Sequence, residues 1–140
     1  MEGEVEVRYG ELPPSVNRLY TVRNGRKILS GEAKRYKNKI KIDLLSQLIG
    51  YKHLGHNTPL SFTYDFYFSD MYNKGFPKSA KTLFKKKDVS NKIKLIEDAV
   101  CEVLDVDDSQ VVHMEVNKWL GNDLVIVKVK PAKGHTAPQS

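Results

Sequence analysis

KKKDVSNKIKLIEDAV, residues 85–100, is the stretch from which the rest of the chain is read. Stepping about 100° per residue from Asp88 gathers Val89, Ile93, Ile96, Val100, Val103 and Leu104 into one sector of roughly 60° to 160°. Asn91, Lys94 and Asp98 fall on the opposite side, at roughly 240° to 300°. The spacing predicts an amphipathic helix over 89–104, with Asp88 as its N-cap and Lys94 and Asp98 four residues apart on the polar face. Lys85, Lys86 and Lys87 stand directly in front of it. Lysines so close together repel one another, and folding gains little from the run. Either the block is solvated surface, or something anionic sits there with a cation between it and the acids.

Working outward, a strand precedes the helix and two follow it. LSFTYDFYFSD (60–70) sets Phe62, Tyr64, Phe66 and Phe68 on one side at the period of two that a strand requires. VVHMEVNKWL (111–120) and DLVIVKVK (123–130), joined at Gly121-Asn122, predict a terminal hairpin. Towards the N-terminus, Val5, Val7 and Tyr9 alternate with Glu4, Glu6 and Arg8 as a half-buried strand does. Asn24-Gly25 is a two-residue hairpin turn. Ser30 is a good N-cap for a helix to about Tyr51, with Ala33, Tyr36, Ile40, Leu44 and Leu48 inward and Lys34, Arg35, Lys37, Lys39 and Lys41 on the other face. Residues 71–87, MYNKGFPKSAKTLFKKK, show no clean period and read as a mobile basic loop. The order predicts one α+β domain over 1–131, a mixed β-sheet with two main helices packed on it. Residues 132–140 read as a disordered C-terminal tail.

Composition narrows the function classes. The chain has 140 residues, 23 Lys+Arg against 17 Asp+Glu and a net charge of +6, which favours an anionic partner, nucleic acid before membrane surface. One cysteine, Cys101, excludes an internal disulfide framework and suits a reducing cytoplasm. No apolar run reaches the roughly 18 residues of a membrane span, and MEGEVEVRYG is unlike a signal peptide. The expectation is a cytoplasmic protein with no membrane association and no organic cofactor. His53, His56, His113 and His135 show no metal-ligand spacing, and Trp119 is most simply core.

A second acidic cluster follows the helix. In DVDDSQVV (105–112), Asp105, Asp107 and Asp108 crowd a helix C-terminus, where the macrodipole disfavours negative charge. The acids either form an Asp-rich turn or face a hard divalent cation.

Three stretches, taken in order, resemble the RusA family of Holliday junction resolvases: PPSVNRLY (13–20), KKKDVSNKIKLIEDAV and DVDDSQVV. The resemblance covers most of the chain and implies a RusA-like fold. It also implies a dimeric endonuclease that binds four-way DNA junctions and cuts paired strands symmetrically with Mg²⁺ or Mn²⁺, often prophage-encoded. Carried over by position, Asp88 and Asp108 become the catalytic, metal-holding aspartates, with Asp107 a further candidate ligand. Lys94 becomes the functional lysine and Asn91 the motif's asparagine. Lys85, Lys86, Lys87, Lys74, Lys78 and Lys81, with Asn17 and Arg18, become candidate DNA contacts. The family's second aspartate is here Ser90, a poor Mg²⁺ ligand beside a carboxylate. Ser90 binds through water, or Asp107 or Asp98 supplies the missing oxygen, or cleavage is weak and the protein chiefly binds junctions. Tyr20, Phe76 and Phe84 are loop packing or a stacking surface at the branch point. A basic RNA- or single-strand-binding module is the reading without a family. It would want exposed aromatics on the sheet, whereas FTYDFYF alternates in a way that suits burial.

Overall fold

The computed structural model describes residues 4–14, 20–47, 55–85 and 89–132. Its elements run β1 (Val5–Tyr9), β2 (Tyr20–Arg23), β3 (Arg26–Leu29), α1 (Gly31–Gln47), β4 (Leu60–Phe68), α2 (Ser90–Leu104), β5 (Val111–Leu120) and β6 (Leu124–Pro131). This is the expected α+β arrangement, with a mixed sheet and two helices. Asn24 and Gly25 take positive φ angles of 53° and 74°, as a two-residue turn between β2 and β3 requires. Ser30 caps α1, its hydroxyl accepting from the Ala33 amide at 3.1 Å. Leu48 and Tyr51, and all but the first residue of the expected tail, lie outside the described residues.

The terminal hairpin does not form. The sheet order is β1-β6-β4-β5, so β4 lies between β5 and β6, parallel to the first and antiparallel to the second. The short link at 121–123 is therefore an arch over the end of β4, not a hairpin turn. The Gly121 amide donates to the Phe68 carbonyl at 3.0 Å, and Asp123 Oδ1 accepts from the Ser69 amide at 3.0 Å and its hydroxyl at 3.1 Å. A Cβ at Gly121 would stand 3.1 Å from Tyr67 Cδ1, so the arch crosses close over β4. Alternation and turn chemistry predict strands and a reversal, but not which strand slips between them.

β4 is the buried centre of the sheet. Phe62, Tyr64, Phe66 and Phe68 are all inaccessible on one face, in register with Val125, Val127 and Val129 of β6. Both helices cover that face. Tyr36 of α1 meets Tyr9 of β1 edge-on at 5.3 Å between ring centroids, and Lys92 of α2 lies 5.5 Å from the Phe68 ring centre. α2 buries Leu95, Ala99 and Cys101 besides the expected stripe, Leu95 and Ala99 on the flank of Glu102, where α1 packs, and Cys101 on the opposite flank with Glu97. The other sheet face carries Asp65, which accepts from Asn117 Nδ2 at 3.0 Å and Trp119 Nε1 at 2.9 Å. Trp119 is thus not core: it lies half-exposed on the edge strand β5.

The basic face of α1 is not wholly free either. Lys37 and Lys41 reach Glu102 of α2 at 2.8 and 2.6 Å, clamping the two helices together. Lys37, then Lys41, lowers the Glu102 pKa below the usual glutamate value. A lowered carboxylate pKa adds stability above the ordinary value that is lost as pH falls through the folded one. We expect Glu102→Gln to cost about 0.5 kcal/mol near neutral pH. In urea titrations the gap from wild type should close below about pH 4, the lower end of the ordinary glutamate range.

Candidate active site

α2 begins at Ser90 with Val89 as N-cap and no side-chain cap, so the N-cap expected of Asp88 falls one residue further along. Asp88 itself, with Lys86, Lys87, Asn17 and Arg18, lies outside the described residues. Ser90 and Asn91 occupy the first turn of α2. One turn on, Lys94 projects from the polar face as its spacing predicts.

At the other end of α2 the chain reverses. Asp105 adopts φ 54° and ψ 51°, and the Val106 amide closes back on the Cys101 carbonyl at 3.0 Å. Glycine is the usual residue at such a left-handed helix end, and aspartate tolerates it at some strain. Asp107 then N-caps a single 3₁₀ turn, Asp108–Gln110, its carboxylate accepting from the Ser109 amide at 2.8 Å. That amide bond is the first reason its pKa is held below the usual aspartate value. Gln110 answers in kind: its Oε1 accepts from the Asp107 amide at 2.8 Å. Its Nε2 donates to the Gly55 and Thr58 carbonyls at 2.8 and 3.0 Å. The acids that looked costly at a helix C-terminus therefore have local duties. Asp105 makes the turn and Asp107 caps the next one. Asp108 is left pointing back along α2.

There it meets Lys94. The ammonium stands 3.4 Å from Asp108 Oδ2 and 3.5 Å from Asp98 Oδ1, between carboxylates 14 residues and one helical turn away. Asp98, then Asp108, raises the Lys94 pKa, so it stays protonated at neutral pH and serves as a fixed cation, not a base. Beneath them lies Glu97, a buried carboxylate the sequence reading passed over. Burial raises its pKa, with Asp108 and Asp98 adding to the rise and Lys94 opposing it. At 180° from Asp88 on the helical wheel it sits on the margin of the core stripe, and that position was its one signal in the sequence. The Tyr64 hydroxyl, on the same side, is buried without a hydrogen-bond partner among the described residues. Burial, then the charge of Glu97, pushes its pKa up. Cys101 is a buried thiol pushed up to about 12, chiefly by burial, and is inert at neutral pH.

The basic stretch before α2 is organised, not a free loop. Tyr72 and Phe84 form an isolated antiparallel bridge, flanked by backbone bonds from Asn73 to Leu83 at 2.7 Å and Lys85 to Met71 at 3.0 Å. Lys74, Lys78 and Lys81 are exposed on this hairpin, while Lys85 pairs with Asp70 at 2.5 Å. Near the N-terminus, Leu12 and Pro14 border a recess of about 110 Å³ lined also by Glu11, Glu32, Arg35, Tyr36 and Lys39.

The chain matches the family model described as "Endodeoxyribonuclease RusA" over residues 11–130. This protein belongs to the RusA family of endodeoxyribonucleases. No curated protein matches it. The matched span contains the resemblance motifs and both strands of the arch, so the RusA-family fold accounts for nearly all of the described chain. For a RusA-family nuclease, the donor chemistry at Asp108 fits a hard cation, being an exposed carboxylate in a site open to solvent. Among the described residues, however, no three histidine, cysteine, aspartate or glutamate side chains converge as a complete metal site would need. Asp88, the other aspartate that the motif resemblance names, lies outside the described residues.

Two substitutions test this reading of the local chemistry by denaturant unfolding. Tyr64→Phe removes a buried hydroxyl with no partner among the described residues, and stability should rise by about 1 kcal/mol. Asp105→Gly relieves the left-handed backbone and should stabilise by a similar amount, about 1 kcal/mol.

Proposed function

We propose that this protein is a divalent-metal-dependent, structure-selective endodeoxyribonuclease that resolves four-way DNA junctions by paired, symmetric phosphodiester hydrolysis. The observation that carries the proposal is the contact of Lys94 with Asp108. It joins the second and third RusA-like motifs into one cluster, and the exposed lysines of the 71–85 hairpin precede that cluster in the chain.

In this reading Asp108 and Asp88 hold Mg²⁺, or Mn²⁺ in its place. When bound, the ion lowers the pKa of the attacking water and stabilises charge on the phosphate oxygens. Lys94 supplies a fixed positive charge to the phosphate in the transition state, when a scissile phosphate draws it from Asp108. Asp98 keeps Lys94 protonated and aimed along α2. Asn91 orients Asp88 or a water at the helix start. Water oxygen forms the new bond to phosphorus, one ester P–O bond breaks, and the leaving oxygen takes up a proton. Lys74, Lys78, Lys81 and the lysines at 85–87 meet flanking phosphates, which supplies affinity and salt dependence without sequence choice.

Paired cuts need two sites related by a twofold axis, so the acting form is a homodimer. β5 is the candidate interface element: it is an edge strand of the sheet and exposes Val112, Met114 and Leu120.

A second reading is favoured by one specific residue. Ser90 stands where the family has an aspartate, and a site short of one carboxylate binds a cation more weakly. The protein would then bind junctions and cut them slowly or not at all.

Cleavage of an end-labelled four-way junction and a matched linear duplex, with Mg²⁺, Mn²⁺ or EDTA, decides between the two. We expect symmetric nicks confined to the junction, absent in EDTA and in Asp88→Asn and Asp108→Asn. Lys94→Ala should lower the cleavage rate roughly 10²- to 10³-fold with little change in junction affinity. Tight junction binding without cutting in either metal would leave the binding reading alone.

A further inference from the structure

The 71–85 hairpin is more than a carrier of lysines. It follows the end of β4 and precedes α2, the helix that bears Lys94, in the chain. Its own hydrogen bonds hold it together. Besides the backbone pairs, Asn73 Nδ2 donates across the hairpin to the Thr82 carbonyl at 2.8 Å, and the Ser79 amide closes a tight turn on the Gly75 carbonyl at 2.7 Å. A Cβ at Gly75 would displace the Ser79 hydroxyl and stand 3.2 Å from Ser79 Cβ, so the tip is tightly folded there.

Such a self-braced element ordinarily turns its rings inward. Here Tyr72 is 39% exposed, Phe76 43%, Leu83 41% and Phe84 55%, although the Tyr72 and Phe84 rings meet at 5.3 Å. Large rings kept in water on a braced support mark a binding surface. Lys74, Lys78 and Lys81 alternate with them in sequence and are exposed too. A second copy of this chain would set those lysines against lysines, and an apolar protein partner would strand them. Nucleic acid matches both features: phosphates for the lysines and base faces for the rings.

We propose that the hairpin is a branch-point wedge, whose tip ring Phe76, with Phe84 behind it, stacks on bases unstacked where the arms of a junction meet. The inference rests on the nuclease reading above and adds to it a basis for structure selectivity. In a linear duplex every base face is already covered by its neighbours, so the rings gain nothing there. At a branch point, opening the stack costs least and ring–base stacking offsets the cost. The lysines act on both DNAs alike, and the rings act only on the branched one.

The test uses the full chain in EDTA, so that binding is read without cleavage. The probes are a four-way junction carrying 2-aminopurine next to the branch point, and a linear duplex of the same arm sequence. Wild type should prefer the junction and change the 2-aminopurine fluorescence on binding. Phe76→Ala should weaken junction binding about tenfold, leave duplex binding unchanged and abolish most of the fluorescence change, while Phe76→Trp restores both. Adding Phe84→Ala should deepen the loss. The lysine triple variant, Lys74→Gln with Lys78→Gln and Lys81→Gln, should instead weaken both DNAs and flatten the salt dependence. Phe76 is at the exposed tip, and matched thermal melts of the Ala and Trp variants exclude a folding defect. If Phe76→Ala keeps the wild-type junction-to-duplex ratio and fluorescence change, the wedge is overturned and the nuclease reading stands. If wild type shows no preference for the junction, both fall.

Discussion

The structure depends on the burial of one strand. β4 has a neighbour on each side and helices on its aromatic face, so every Phe and Tyr it turns inward is lost to water. Burial of that ring series, roughly 1.5–3 kcal/mol for each large side chain, outweighs any local preference of the strands beside it. β5 and β6 are joined by a link short enough for a hairpin, yet they give up pairing with each other so that both can pair with β4. The cost is an arch that must clear the end of β4, and Gly121, Asp123 and Ser69 are the residues that make it possible.

The same arrangement builds the site. β4 and β5 are parallel, so the chain between them must return the length of the sheet, and α2 makes that return. What leads into α2 is the basic hairpin, and what leads out is the acidic turn. A parallel pair with a helical crossover thus carries Lys94 and Asp108 on one connection, and the left-handed residue Asp105 turns the chain so that Asp108 meets Lys94. Glu97, Asp98 and Asp108 surround Lys94, so a cation is held among acids. That arrangement keeps the lysine charged and leaves carboxylate oxygens open beside it.

Much of this was legible one residue type at a time. The helix face with Lys94 and Asp98, the ring series of β4, the Asn24-Gly25 turn and the Ser30 cap all follow from local rules, because each depends on neighbours within a turn or a pleat. Glu97 was hard to see, since a carboxylate on the margin of an apolar stripe reads as surface until the packing of α2 brings it beside Tyr64 of β4. Asp107 and Gln110 read as ligand and motif residue. The structure shows them bonded to each other as a capping pair and, through Gln110, to the 55–58 segment. Residues 71–85 lacked a period because a short self-bonded hairpin has none. Its order comes from the cross-chain bonds of Asn73, Leu83 and Lys85.

The sequence by itself determined the element types, the amphipathic face of α2, the positive charge beside it and the family motifs, because periodicity, capping and charge spacing act over a few residues. Only the tertiary structure decided that β4 enters between β5 and β6, that Trp119 lies half-exposed on the outer face, that Lys37 and Lys41 bind helices to each other, and that Lys94 meets Asp108. Each of those is a choice between partners distant in the chain. Local rules rank such partners equally, and the burial of the shared core breaks the tie.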